Sequence, residues 1–319
     1  MRDIRLVTSI LASCFAFGCD SGESSTPSLG GTTSNTVNNA VSTTAAQSAT
    51  STTGSPTTGS GMVYETGMGC TPGVLTTSKA LYGRWDKALV MIDGLQYFLQ
   101  VNQWNEASSG MQTMQIGKDG YVFKMTAQAA SVPTNGGPTG FPSIFIGTNS
   151  NNGTQGSNLP KQVSSLAAVP TKWAWKDAGT LAAGSANSYN ATYDVWFSTG
   201  ADGEPSSSHP SGAFLMVWYH KPADAQPIGS IKEPAATIPG VPGQWNVWIG
   251  ANAGTPIVSY VATQTIASMD FDLMDFINHA IARGDTVQSS HYLTNIFAGF
   301  EIWRGGVNIE TTSFCAEVM

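Results

Sequence analysis

The stretch that most constrains this chain is Ser211-Gly-Ala-Phe-Leu-Met-Val-Trp-Tyr-His220. Side chains alternate across a strand, so Phe214, Met216, Trp218 and His220 take one face, and Ala213, Leu215, Val217 and Tyr219 take the other. Both faces are apolar. Such a strand is covered on both sides and lies inside a layered β structure, away from its edge. A Met beside a Trp on one face fits ordinary sandwich core, and it also fits the floor of a ligand cleft.

Further strand patterns fall at 88–92, 97–101, 121–127, 143–147, 188–198, 244–250, 257–264 and 293–303, rich in Val, Thr, Tyr, Trp and Phe and separated by Gly, Asn, Pro and Ser. The chain is only 11% charged, against roughly 25% in an average domain, and small polar residues fill the difference, as in secreted all-β proteins. A net charge of -7 offers no basic surface, which argues against nucleic acid as a partner. The predicted fold is all-β: a two-sheet jelly-roll sandwich with one main helix at about 270–283. Leu273, Phe276, Ile277, Ala280 and Ile281 make the apolar stripe of that helix. Ser268 or Asp270 can cap its start and Gly284 its end, and it is expected on the outer side of the sandwich. His279 reads as a boundary residue.

The N-terminus reads as targeting. Arg2 and Arg5 precede a short apolar run, too short to remain as a spanning helix. Two lipobox-like tetrapeptides follow, Leu11-Ala-Ser-Cys14 and Ala16-Phe-Gly-Cys19. Cys19 is the preferred lipid site because a polar linker follows at once, with Cys14 as the alternative. Residues 1–19 are read as signal, 20–61 as a disordered Ser/Thr/Gly-rich tether and 62–319 as the folded domain. Cys70 and Cys315 remain, one at each end of that domain. In an oxidising compartment they can form one bridge; otherwise they are two buried thiols.

Several segments together resemble glycoside hydrolase family 12, the small jelly-roll endo-β-1,4-glucanases and xyloglucanases. Val101-Asn-Gln-Trp104 looks like the family's Asn-Asn-x-Trp segment, and Phe141-Pro-Ser-Ile-Phe-Ile-Gly147 its Tyr-Pro-Ser segment. Val169-Pro-Thr-Lys-Trp-Ala-Trp175 and Tyr189-Asn-Ala-Thr-Tyr-Asp-Val-Trp-Phe197 resemble middle strands. Leu215-Met-Val-Trp218 with Pro227-Ile-Gly-Ser230 resembles the nucleophile strand and its loop, and Gly299-Phe-Glu-Ile-Trp-Arg-Gly-Gly306 the acid/base strand. The pieces occur in the family's order over most of residues 90–315.

The resemblance implies retaining hydrolysis by two carboxylates about 5–5.5 Å apart in a concave cleft. It puts Glu301 at the acid/base position, where Phe300, Ile302 and Trp303 promise an apolar setting that raises a carboxyl pKa. At the nucleophile the chain departs: the family's Glu-(Leu/Ile)-Met-(Ile/Val)-Trp reads Phe214-Leu-Met-Val-Trp here. Phe214 cannot attack an anomeric carbon, and it is expected on a strand facing Glu301. Asp194, whose family counterpart hydrogen-bonds the nucleophile, loses that partner. It is either a structural or sugar-binding carboxylate, or a base for water opposite Glu301 in an inverting arrangement.

Asn102, Trp104, Met216, Trp218 and Trp303 are the expected sugar-binding residues. A family disulfide loop with a His is replaced by Thr148-Asn-Ser-Asn-Asn-Gly153, with Asn149 near the His position. The four His residues show no metal-ligand spacing, so no metal and no cofactor are expected. The expected partner is a β-glucan: cellulose, mixed-linkage glucan or xyloglucan. Contact with a membrane is expected only through the lipid anchor, and the domain is expected to be a monomer. Function divides between a β-glucan hydrolase whose activity is weak or lost and a non-catalytic cell-surface glucan-binding protein.

Overall fold

The computed structural model describes residues 61–105, 110–149, 152–177, 186–202 and 209–319. The expected signal, Cys14, Cys19 and the expected tether as far as residue 60 lie outside the described residues.

The first strands are β1 (Met62–Tyr64), β2 (Lys79–Leu81), β3 (Lys87–Ile92), β4 (Leu95–Gln100), β5 (Gln112–Ile116) and β6 (Phe123–Gln128). Next come β7 (Ser143–Asn149), β8 (Asn152–Gly153), β9 (Lys161–Gln162), β10 (Pro170–Lys176), β11 (Ser188–Tyr189), β12 (Ala191–Ser198) and β13 (Ala213–His220). The last third holds β14 (Ser230–Ala236), β15 (Trp245–Asn252), β16 (Thr255–Ala262), β17 (Ile266–Asp272), helix α1 (Leu273–Arg283), β18 (Tyr292–Gly299), β19 (Ile302–Arg304) and β20 (Glu310–Ala316).

The smaller sheet runs β1-β17-β10-β20-β6-β5-β2, and the larger runs β14-β15-β16-β13-β12-β18-β7-β4-β3 with β8 on β7 and β9 on β18. Only β1–β17 and β13–β16 pair in parallel among these strands. β11 and β19 form a two-stranded ribbon. This is an all-β, two-sheet jelly roll with one α-helix among the described residues.

Alternation sorts the larger sheet into two faces. On β12, Tyr193, Val195 and Phe197 join the core between the sheets, and so do Leu215, Val217 and Tyr219 on β13. Trp173 of β10 meets Tyr193, Tyr219 and Phe300 there, with ring centroids 5.5, 5.3 and 5.8 Å apart. The alternate residues Thr192, Asp194 and Trp196 pair in register with Trp218, Met216 and Phe214, so all six share the outer face. His220 leaves that row. The register slips between Ala191 and Thr192, and the imidazole packs against Trp175 and Tyr189 while its Nδ1 lies 3.0 Å from Thr265 Oγ1.

The helix begins at Leu273, the first residue of its stripe and three residues later than the expected start at about 270. Asp272 is the cap, accepting from the Met274 N–H at 2.9 Å, whereas Asp270 belongs to β17 and accepts from the Thr66 and Gly67 N–H groups. Gly284 ends the helix at φ 77°, a left-handed conformation that glycine adopts without strain. Nor does α1 sit outside the sandwich. Phe276 packs on Trp245, Tyr260 and Phe271, so the helix fills the layer between the sheets at the β15–β16 end. His279 does lie at the boundary, its Nδ1 2.9 Å from the Tyr260 hydroxyl.

Candidate active site

The outer face of the larger sheet carries two aromatic groups. Phe98, Phe141, Phe145 and Phe297 pack together beside Trp196 on the β4–β7–β18 side. Trp218, Trp248, Val261 and Trp303 pack with Val132 and Ala225 on the β13–β16–β15 side, with Met216 against them. Asp194 lies between the two groups, paired with Met216 on one side and Phe297 on the other, and Phe214 pairs with Trp196.

Glu301 stands in a break between β18 and β19, so the expected continuous strand at 293–303 is interrupted. Alternation survives the break: Phe300 and Ile302 enter the core, while Trp303 joins Trp218 on the outer face at 6.5 Å. Only Trp303 among the three expected neighbours therefore shares Glu301's side. Asn190 fixes the residue from both directions. Its Oδ1 accepts from the Glu301 N–H at 2.8 Å, its Nδ2 donates to Glu301 Oε2, and its own N–H donates to the Glu301 carbonyl at 3.0 Å. Glu301 is half-buried. Burial, and then the charge of Asp194, push its carboxyl up to about 8, against a smaller opposing effect of the Asn190 hydrogen bond. Asp194 is raised to about 7 by burial, opposed by the Trp196 indole N–H, which donates to Oδ2 at 2.8 Å. The charge of Asp194, when ionised, helps to hold the proton on Glu301. Both carboxyls therefore keep their protons to higher pH than free carboxylates, and they titrate as a pair.

Phe214 is 6% exposed, its ring edge-on to Trp196 with centroids 5.8 Å apart. It lies on β13 of the larger sheet, whereas Glu301 follows the end of β18, and β12 runs between those two strands, so the two do not face each other on adjacent strands. Asp194 Oδ1 is buried with no hydrogen-bond partner among the described residues.

Asn102 adopts a left-handed conformation at φ 46°, and its carbonyl accepts from the N–H of Phe141, a member of the phenylalanine group, at 2.9 Å. Trp104 stands apart at 37% exposure over Gly137, while the neighbouring Gly136 carbonyl accepts from the Trp303 indole at 2.7 Å. Met216, Trp218 and Trp303 come together directly. Asn190, Trp196, Trp248 and Ser259 escaped the sequence reading. Alternation along β12 and β16 places Trp196 and Ser259 on this face, but nothing local marks Asn190, whose role depends on pairing with a residue 111 positions away. Among the described residues no three His, Cys, Asp or Glu side chains group as metal ligands.

A two-sheet jelly roll with a raised, hydrogen-bonded carboxyl on an aromatic outer face has the build of a polysaccharide-directed fold. Residues 95–319 match the model of glycosyl hydrolase family 12, and the chain belongs to that family. It is 32% identical over 163 residues to the probable cellulase Cel12b of Mycobacterium tuberculosis, covering 51% of this chain and 99% of that protein. It is 28% identical over 233 residues to the inactive glycoside hydrolase XLP1 of Phytophthora nicotianae, covering 70% and 87%. Against four xyloglucan-specific relatives from Aspergillus and Emericella the match spans 55–61% of their length. The solved endo-1,4-β-glucanase CelB2 superposes with a TM-score of 0.65 at 30% identity, over 76% of this chain and 99% of that one.

Proposed function

We propose that this chain is a β-glucan-directed protein that holds its ligand on the outer face of the larger sheet, with Glu301 in the acid/base role and Phe214 where family members carry the nucleophile. The observation that carries this reading is a Glu301 carboxyl clamped by Asn190 on an aromatic face, with a buried phenylalanine at the second position. A phenyl ring forms no glycosyl ester, so double displacement is closed and retaining hydrolysis is lost or very slow. A general acid acting alone contributes only about 10²–10⁴-fold. Kinship with an inactive glycoside hydrolase is in keeping with this. Met216, Trp218, Trp303, Asn102 and Trp104 would line the glucan path.

The orphaned Oδ1 and raised pKa of Asp194 favour one second reading, in which Asp194 activates water opposite Glu301 and the outcome is inversion. That arrangement requires the carboxyls roughly 6.5–9.5 Å apart. Signal, tether and lipid on Cys19 would hold the domain outside the cytoplasm. The bonded Cys70–Cys315 pair suits an oxidising compartment, and no helix among the described residues is long and apolar enough to cross a membrane.

The test measures glucan retention and reducing-end release on carboxymethylcellulose, mixed-linkage β-glucan and xyloglucan. Retention with little or no release is expected. Release with inversion that Asp194→Asn abolishes would favour the second reading. Robust release with retention of configuration, or no binding to any of the three, would overturn the proposal.

A further inference from the structure

The larger sheet is ordered β14-β15-β16-β13, yet β14 follows β13 directly in the chain. Residues 221–229 therefore leave β13 at His220, pass β16 and β15, and enter β14 at Ser230. Their course takes them over the outer face, because Ala225 packs there with Trp218, Trp248, Val261 and Trp303. Those four belong to strands, whereas Ala225 and Val132 reach the group from loops. The two small loop side chains lie on indole rings that alternation turns outward, and Trp218, Trp303 and Trp248 are left only 2%, 3% and 8% exposed.

The segment is longer than its course requires. Residues 221–229 reach roughly 30 Å when extended, whereas the spacing from β13 to β14 is about 14 Å. Among the described residues no backbone hydrogen bond ties 221–229 to the rest of the domain. The polar fastening is a side chain: the Asp224 carboxylate accepts from the Ser188 hydroxyl at 2.8 Å and pairs with the Arg304 guanidinium. Ser188 and Arg304 are opposite each other in the β11–β19 ribbon, so one carboxylate clasps both of its strands. An ion pair whose partners are both partly exposed is weak and is screened by salt.

The closed arrangement also leaves donors unmet. The Trp303 indole donates to the Gly136 carbonyl at 2.7 Å, but Trp218 Nε1 and Trp248 Nε1 are buried without a partner among the described residues. An unmet buried donor destabilises the state that holds it, and lifting the segment admits water to these atoms. A weak clasp and two unmet donors bring the closed and open states close in free energy.

We propose that residues 221–229 form a strap, clasped by Asp224 to Ser188 and Arg304, which closes over Trp218 and Trp303 and must lift before a ligand reaches them. Only the identity of that ligand rests on the glucan reading above.

The experiment is hydroxyl-radical footprinting, read residue by residue by mass spectrometry, on the full chain and on Asp224→Ala, with a thermal melt of each. Trp218 and Trp303 are expected to oxidise about three- to tenfold faster in Asp224→Ala, while Trp173, sealed between the sheets, keeps its rate. Raising NaCl to about 1 M should speed oxidation of the same two residues about twofold in the wild type. Stopped-flow mixing with cellohexaose should show faster association in the variant than in the wild type. Unchanged oxidation of Trp218 and Trp303 in a folded Asp224→Ala would overturn the strap. If the variant fails to fold, the salt series on the wild type decides, and a flat response overturns the proposal. Faster oxidation without faster association would overturn the strap as a gate. Faster oxidation in a protein that binds neither cellohexaose nor mixed-linkage or xyloglucan oligosaccharides would keep the strap and remove the glucan reading.

Discussion

Position 214 concentrates the functional question in a single side chain. Phe214 pairs with Trp196 and stands diagonal to Asp194, whose Oδ1 has no partner. A glutamate there is smaller than the phenyl ring, and in the protonated or shared-proton state it can meet that orphaned oxygen. Phe214→Glu is therefore expected to create retaining hydrolysis, raising glucan turnover on the order of 10³-fold or more. Product configuration by NMR checks it, and Glu301→Gln in the same background should remove the gain. The two carboxyls also set a pH dependence. Folding raises Glu301 from 4.5 to about 8 and Asp194 from 3.8 to about 7. In that window these two carboxyls bind more protons in the folded state than in the unfolded one, so their contribution to stability is greatest at acid pH, falls as pH rises from the ordinary carboxylate range toward 8, and is level above it; buried His220, lowered to about 4, contributes the opposite slope between about 4 and 6.5. Glu301→Gln removes its share of the slope. Chemical denaturation at pH 5 and pH 9 should show a smaller difference between the two for the variant than for the wild type; an equal difference would remove this account of Glu301.

Among the elements, α1 shows where local signals mislead. Asp272 Oδ1 accepts both from Met274 in the first turn and from Val169 in the strand connection, at 2.9 and 2.8 Å. Asp272→Ala therefore loses more than a helix cap alone and should cost about 1–2 kcal/mol in urea unfolding; a change below a few tenths would show that water replaces both bonds. The acidic run 270–275 looks like a helix start, yet the strand keeps its first members because Asp270 is claimed by the N–H groups of Thr66 and Gly67. β12, β13, β15 and β16 were legible because their apolar sides face a core and their alternation is regular. β14 was not. It is an exposed edge strand containing Pro234, and edge pairing leaves little mark in the sequence. β5, with Gln112, Thr113 and Gln115, hides for the same lack of apolar contrast. At the candidate site the family-like segments are what pointed to Glu301, Phe214, Met216 and Trp218. Asn190 and Trp248 became functional candidates only through register across strands, which no window of sequence contains.

At the scale of the whole domain, the chain closes on itself through the sheet that does not carry the site. β1 adds to β17, Glu65 pairs with Lys172 at 2.9 Å, and Cys70 is bonded to Cys315 of β20, 245 residues away, with Cα atoms 6.0 Å apart. All of these lie on the smaller sheet or on the segment laid along it, whereas Asp194, Phe214, Trp218 and Trp248 occupy the outer face of the larger one. The bond closes a very long loop, so its loss enlarges the unfolded ensemble far more than it disturbs the folded one. Stability and ligand affinity should therefore separate. Cys70→Ser with Cys315→Ser is expected to lower unfolding free energy by about 2–5 kcal/mol, and reductant should lower the wild type by a similar amount while leaving the double variant unchanged. Cellohexaose affinity, measured well below either melting temperature, should stay within twofold in all three. A matching loss of affinity would mean that the smaller sheet shapes the binding face through the core, and the two sheets would then act as one mechanical unit.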